Sequence, residues 1–324
     1  MTAEPRAAEL TGAPLGPGSL TWRLFGDRRQ LLLLGRSGTL QNMHPAVGAA
    51  LQQHSNFFAD PWDRLFRSIP PILGVVFDEA DTAGAVRDFH TDIKGLDTQG
   101  NRYHALNPEV FWWTNVTCVE SMICTQEYFG TPLTAAEQDQ LVAEGLTWWR
   151  RYGLSDRPSF ADAASFHDYW ERELATVLEA NDTTRWVTSS DVSHDDMPPP
   201  PHVPGAVWRL VRRPVLALNL WLLTGLLPPR ARQTLGLVWS TRDDRRLRRI
   251  GAVVRRLWPL VPYRIAVEPR ARAAWARVGS RPGRYALRAS TGSAGAASSS
   301  ALASSPRGTT TTATTASSAT TAKK

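Results

Sequence analysis

The run Asn107-Pro108-Glu109-Val110-Phe111-Trp112-Trp113-Thr114-Asn115-Val116-Thr117 constrains the fold more than any other stretch, because it specifies the start of a helix. Asn107 suits the N-cap, where its side-chain oxygen accepts a backbone N–H that has no partner inside the helix. Pro108 suits the first helical position, where its missing N–H costs nothing. Glu109 complements the positive end of the helix dipole. Phe111, Asn115, Cys118 and Met122 then fall at i, i+4, i+7 and i+11 on one face. Asn115 thus puts an amide in an apolar stripe, and a buried amide without a partner costs roughly 1–3 kcal/mol. What Asn115 bonds to is the first functional question.

Similar punctuation recurs along the chain. Asp27 suits the cap of a helix over residues 31–40, whose Gly35 and Gly38 imply close approach of another group. Pro45 restarts a helix that runs to His54. Asp60-Pro61 is another cap-plus-proline start, and Pro70-Pro71 is expected to end that helix. Asp81 or Thr82 opens the next, with Val86, Phe89, His90 and Ile93 on one side and Gly95 as its stop. Residues 97–101 read as the turn of a small hairpin. Gly130 stops the central helix, Thr134-x-x-Glu137 is a capping box, and Ser159 is expected to open a further helix. A polar, proline-rich connector spans 181–205, followed by amphipathic segments near 207–227, 243–258 and 269–278. The fold class is therefore mostly α. It comprises a flexible leader over 1–18, a single large helical domain over 19–278, and a tail over 279–324 whose Ser, Thr, Ala and Gly cannot build a core and are expected to be disordered.

The formal net charge is +7. It is concentrated: over residues 205–288 the acidic residues are Asp243, Asp244 and Glu268, among many arginines. Such a face suits nucleic acid, anionic lipid or an acidic partner, and equally a plain solvated surface. Nucleic acid is disfavoured, because no recognised motif is present and the arginines interleave with leucines rather than with exposed aromatics. Cys118 and Cys124 are expected on one helix, about 9 Å apart along its axis, too far for a disulfide. Reduced thiols fit a cytoplasmic protein. The N-terminus has no apolar signal segment. The longest apolar run, 214–227, falls short of the ~20 residues that span a bilayer and reads as a core helix. Its arginine flank leaves peripheral contact with the inner membrane surface open.

No P-loop, GxGxxG, GxSxG or HExxH motif occurs. What remains is a set of histidines. His44 and His54 sit at helix ends, and His104 follows Tyr103 in the turn region. His167, His194 and His202 lie in polar contexts. Arg87-x-x-His90 is the best pair, one helical turn apart on the same side. Arginine grips a carboxylate or carbonyl through two parallel bonds, and histidine transfers protons or ligates a metal. An Arg–Asp surface pair beside a core histidine would have the same sequence.

An ordered series of short motifs runs through Gly35-Arg36, His44-Pro45, His54-Ser55-Asn56-Phe57, Asp60-Pro61 and Arg64-Leu65. It continues through Arg87-x-x-His90, Ile93, Gly95, Tyr103-His104-Ala105, Asn107-Pro108, Phe129-Gly130-Thr131-Pro132-Leu133 and Trp148-Trp149. Through these residues, roughly over 19–277, the chain resembles the actinobacterial members of the MpaB-type oxygenase family. Relatives include the fungal oxygenase of mycophenolic acid biosynthesis and, more distantly, the latex-clearing rubber oxygenase, which cleaves carbon–carbon double bonds. The resemblance implies an all-helical fold, a haem b pocket, and an oxidoreductase that brings dioxygen to a small apolar substrate. Arg87 and His90 are then the expected catalytic groups, similar to a distal wall that orients bound oxygen. His90, His104, Asn115 and Thr117 are the expected cofactor contacts, with His90 the candidate metal ligand, axial or distal.

The chain departs from the family at one place. Many members carry Trp-x-His-x-Thr where this chain reads Trp113-Thr114-Asn115-Val116-Thr117. An amide nitrogen has no available lone pair, and its oxygen is a hard, weak ligand for haem iron. Three outcomes follow: another residue holds the haem, with His90 and His104 first in line; the metal differs; or the activity is lost and the fold kept. The last outcome gives the alternative function, a non-enzymatic helical protein whose basic face binds a membrane surface or an acidic partner.

Overall fold

Helices start where the capping residues stand. The computed structural model describes residues 14–160, 162–189 and 197–282. Ser19 caps α1 (Leu20–Phe25), and Asp27 caps a 3-10 helix (Arg28–Leu33) that leads into α2 (Leu34–Asn42). His44 caps α3 (Pro45–His54) through Nδ1, which accepts the Ala46 N–H at 3.2 Å. Asp60 caps α4 (Pro61–Phe77) and Asp81 caps α5 (Thr82–Phe89). The Lys94–Leu96 strand, β1, and the Arg102–His104 strand, β2, form an antiparallel hairpin with Gly95 opposite Tyr103. Asn107 and Pro108 open α6 (Pro108–Phe129), and the Thr134–Glu137 capping box opens α7 (Ala135–Arg150). The later helices are α8 (Ala163–Thr176), α9 (Asp182–Thr188), α10 (Gly205–Leu226), α11 (Pro229–Thr234), α12 (Thr241–Leu257), α13 (Tyr263–Ala266) and α14 (Pro269–Arg277). The fold is mostly α. No helix among the described residues is long and apolar enough to cross a membrane. Most of the leader and tail read from the sequence, residues 1–13 and 283–324, lies outside the described residues, as does His194.

Five boundaries differ from those read in the sequence, the first being the Asp27-capped helix over 31–40, which is split into the 3-10 helix Arg28–Leu33 and α2 from Leu34. α4 does not stop at Pro70-Pro71 but continues to Phe77. The two prolines release the carbonyls of Phe66 and Arg67, both exposed residues that water can reach. The Pro70 carbonyl accepts from Arg270 Nη1 at 2.6 Å, and buried Leu73, Val75, Val76 and Phe77 anchor the far half. α5 ends at Phe89 with His90 as its C-cap, so Gly95 lies in β1 instead of ending the helix. A Cβ on Gly95 would meet Gln53 Oε1 at 2.2 Å, so the glycine lets α3 and the hairpin close on each other. α8 opens at Asp162, not Ser159, because Asp162 and Ser165 cap each other reciprocally. The connector expected from 181 begins with α9, capped by Asn181.

α6 is the central element. It packs against α1, α2, α7 and α12 and is buried on nearly every side, as expected of a helix that is apolar all round. Its hydroxyls are satisfied locally: Thr114, Thr117, Ser121 and Thr125 each donate to a carbonyl three or four residues back. Trp113 Nε1 donates to the Leu40 carbonyl at 2.9 Å, fixing α6 to α2. The α7 tryptophans close the other side, with Trp112 and Trp149 ring centroids 4.8 Å apart. Cys118 and Cys124 are both free and both on α6.

Candidate functional site

Packing α2 to α6 and α10 around one space leaves a cavity of about 1620 Å³, larger than the ~300–1,000 Å³ usual for small-molecule sites. α6 contributes Val110, Phe111, Thr114, Asn115 and Cys118 to its wall. The face read from the sequence at i, i+4 and i+7 is therefore the face that meets the cavity. Gly35 and Gly38 of α2 also line it. A Cβ on Gly35 would lie 3.1 Å from Asn219 Oδ1 of α10, whereas one on Gly38 would meet nothing within 4 Å. The first glycine lets α10 approach α2, and the second leaves that wall open.

His90 lines the cavity. Its Nδ1 lies 2.7 Å from the Val86 carbonyl, so Nδ1 carries the proton and donates. Nε2 of the neutral ring then keeps its lone pair. Burial is the main cause that lowers the His90 pKa, and neighbouring Arg64 adds to it against the opposing Val86 bond. The ring therefore stays neutral, as a metal-ligating imidazole must. Its edge-to-face contact with Phe111, 5.5 Å between centroids, sets it against α6.

Asn115 also borders the cavity and is 4% exposed. Its Nδ2 donates to the Gly145 carbonyl of α7 at 3.2 Å. Its Oδ1 meets no hydrogen-bond donor among the described residues. Gly145 makes this bond possible, since a Cβ there would lie 2.7 Å from Val119 Cγ2 and hold α7 away. Asn115 is thus an α6–α7 tie with one acceptor left over.

Of the other residues singled out from the sequence, His54 also lines the cavity, with its Nε2 3.1 Å from the Lys94 carbonyl, whereas Arg87, His104 and Thr117 lie off the wall. Arg87 pairs with Asp88 at 2.7 Å and donates from Nη1 to the Tyr152 carbonyl at 3.3 Å. His104 uses both ring nitrogens, Nε2 donating to the Thr91 carbonyl at 2.9 Å and Nδ1 accepting the Leu106 N–H at 3.1 Å. Thr117 is fully buried and accepts from Gln41 Nε2 at 2.8 Å, tying α2 to α6. So the structure brings His90 and Asn115 to one space and gives Arg87, His104 and Thr117 backbone and interhelix partners.

Several wall residues were not singled out for a role from the sequence. Burial pushes the Cys118 thiol up to about 12, so it is protonated at neutral pH. Burial also raises the Tyr152 phenol, which accepts from Trp148 Nε1 at 3.1 Å. Arg64 and Ser68 line the wall from α4. Their four-residue spacing after the Asp60-Pro61 helix start was the available signal.

Comparison with known proteins agrees with this architecture. The chain is 24% identical over 198 residues to an uncharacterized protein of Mycobacterium bovis and to one of Mycobacterium tuberculosis, covering 59% of this chain and 71% of each relative. No solved structure matches. Residues 22–256 match the family described as ER-bound oxygenase mpaB/B'/rubber oxygenase, catalytic domain. That span holds α2 to α6, α10 and nearly the whole cavity wall, and the chain belongs to this oxygenase family.

Proposed function

We propose that this protein is a haem-dependent oxygenase in which His90, not position 115, holds the iron, and that dioxygen and an apolar substrate share the cavity. The observation that carries the reading is the His90 ring: neutral, on the cavity wall, its Nδ1–H on the Val86 carbonyl and its Nε2 lone pair available. A backbone carbonyl on the far nitrogen is the usual way to orient a metal-ligating histidine. Among the described residues no group of three or more His, Cys, Asp and Glu could cage a metal ion. A single imidazole is nonetheless enough where a porphyrin supplies the other donors. When bound, haem supplies an iron centre for oxygen chemistry. The chain's part is to hold that centre through His90 and to exclude water with Phe111, Leu51, Leu65 and Leu220. Asn115 leaves an unused acceptor, Oδ1, at the same wall.

Haem titration of the wild type and of His90→Ala tests the assignment. The wild type is expected to take up one haem with a sharp Soret band, and His90→Ala to weaken binding and shift the band. An identical spectrum and affinity in His90→Ala would remove His90 as the ligand.

A second, compatible reading rests on α12. It exposes Ile250, Val253 and Leu257 among arginines, and Leu260 extends the row. Apolar side chains among cations are what an anionic lipid surface recognises, so we assign this face to peripheral contact with such a surface.

A further inference from the structure

Arg64 lines the cavity with its own helix supplying its hydrogen-bond partners. Its Nη1 donates to Ser68 Oγ, and Ser68 Oγ donates back to the Arg64 carbonyl at 2.7 Å. No carboxylate among the described residues lies within ion-pair distance of it, and the charge that acts on it is the like charge of Arg67. Two other arginines on the same wall are compensated, Arg67 by Asp63 at 2.9 Å and Arg270 by Asp78 through two bonds of 2.9 and 2.6 Å. Burial lowers the Arg64 pKa, yet a guanidinium stays charged in proteins. A half-buried, uncompensated cation on a cavity wall is costly unless an anion arrives from outside.

The rest of the wall shows what the anion is attached to. Leu31 is 44% exposed and Phe89 is 69% exposed although both line the cavity. Leu34, Val47, Leu216 and Leu220 extend the same apolar lining. The planar guanidinium fork of Arg64 matches a carboxylate through two parallel bonds.

We propose that Arg64, braced by Ser68, is the carboxylate-binding head of the cavity, so that the ligand is a largely apolar molecule that bears a carboxylate. The inference rests on the cavity being the ligand chamber proposed above. Two sources carry this chemistry, a long-chain acyl substrate and the propionate side chains of haem. Arg64 lies close enough to His90 to influence its charge, so either source would bring its carboxylate near the proposed iron ligand.

The test is calorimetric binding to the purified, haem-free full chain. The probes are palmitate against hexadecanol, and haemin against its dimethyl ester, on the wild type, Arg64→Gln and Arg64→Lys. Circular dichroism checks that both variants fold. A charge-assisted bond in a partly buried site predicts that the carboxylate binds about tenfold to a hundredfold tighter than its neutral partner. That preference should vanish in Arg64→Gln and persist in part in Arg64→Lys. If it holds for palmitate, the source is the substrate; if it holds for haemin alone, the source is the cofactor. Either result supports Arg64 as the carboxylate receptor. No preference for the charged probe in either pair, or a preference that survives Arg64→Gln, would overturn it. Because the palmitate arm uses haem-free protein, its outcome is separate from whether His90 holds iron.

Discussion

At the residue scale, two histidines show how burial decides protonation. His44 uses Nδ1 as an acceptor for the Ala46 N–H, a role open only to the neutral ring in the tautomer protonated at Nε2. Burial drives its pKa down from 6.5 to about 4, against the opposing pull of Asp97 and Glu179. Between those two values the unfolded chain binds more protons than the folded one. The stabilisation is therefore complete above the unfolded pKa and is lost as pH falls from 6.5 towards 4. The upper bound is about 3 kcal/mol, from 1.36 kcal/mol per pKa unit. Replacing His44 with Asn keeps a cap but removes the titration. Urea unfolding at several pH values should show a shallower acid slope for His44→Asn than for wild type. Equal slopes would mean the cap does not titrate in this range. The Arg87-x-x-His90 motif, by contrast, was only half legible. Spacing put both side chains on one side of a helix, but Asp88 and the Tyr152 carbonyl take Arg87, and neither partner is visible from spacing.

At the element scale, caps were readable and continuations were not. Asn107, Asp60, Asp81 and Thr134 cap the helices their positions announced. α4 ran on through Pro70-Pro71 because exposure relieves the freed carbonyls and Arg270, 200 residues away in sequence, takes another. Local rules cannot see such a partner. Close packing between elements was likewise hidden in single glycines. A Cβ on Gly251 of α12 would lie 2.4 Å from the Tyr128 carbonyl of α6, a backbone atom that cannot swing aside. Gly251→Ala should cost about 1–3 kcal/mol through overpacking despite its better helix propensity, read as a lower Tm. An unchanged or raised Tm would mean α12 sits more loosely on α6 than described. The opposite face of α12 carries the lipid reading. Vesicles rich in anionic lipid should bind the protein at low salt and release it as salt rises. The double change Arg249→Glu and Arg256→Glu should abolish that binding without altering haem uptake. Binding that ignores salt or both charge reversals would dismiss the reading.

At the scale of the whole molecule, the cavity is assembled from helices that are far apart in sequence. α2 to α6 supply one side, and α10, a hundred residues on, supplies Leu216, Asn219, Leu220 and Leu223 to the other. Periodicity showed that each helix had an apolar face, but not that these faces would stop short of one another and leave about 1620 Å³ between them. The motif series made the oxygenase family legible, and its break at Asn115 falls on a residue that borders the cavity. The Gly145 carbonyl that occupies the Asn115 amide was not readable, because it depends on how closely α7 approaches α6.

The central claim is that this wall holds haem through His90. Its most direct test is the visible absorption spectrum of the protein purified after expression with a haem precursor, taken together with iron analysis. The expected result is a Soret band with one iron per chain that moves or disappears in His90→Ala. A colourless, iron-free, fully helical protein that also fails to take up added haem would contradict it.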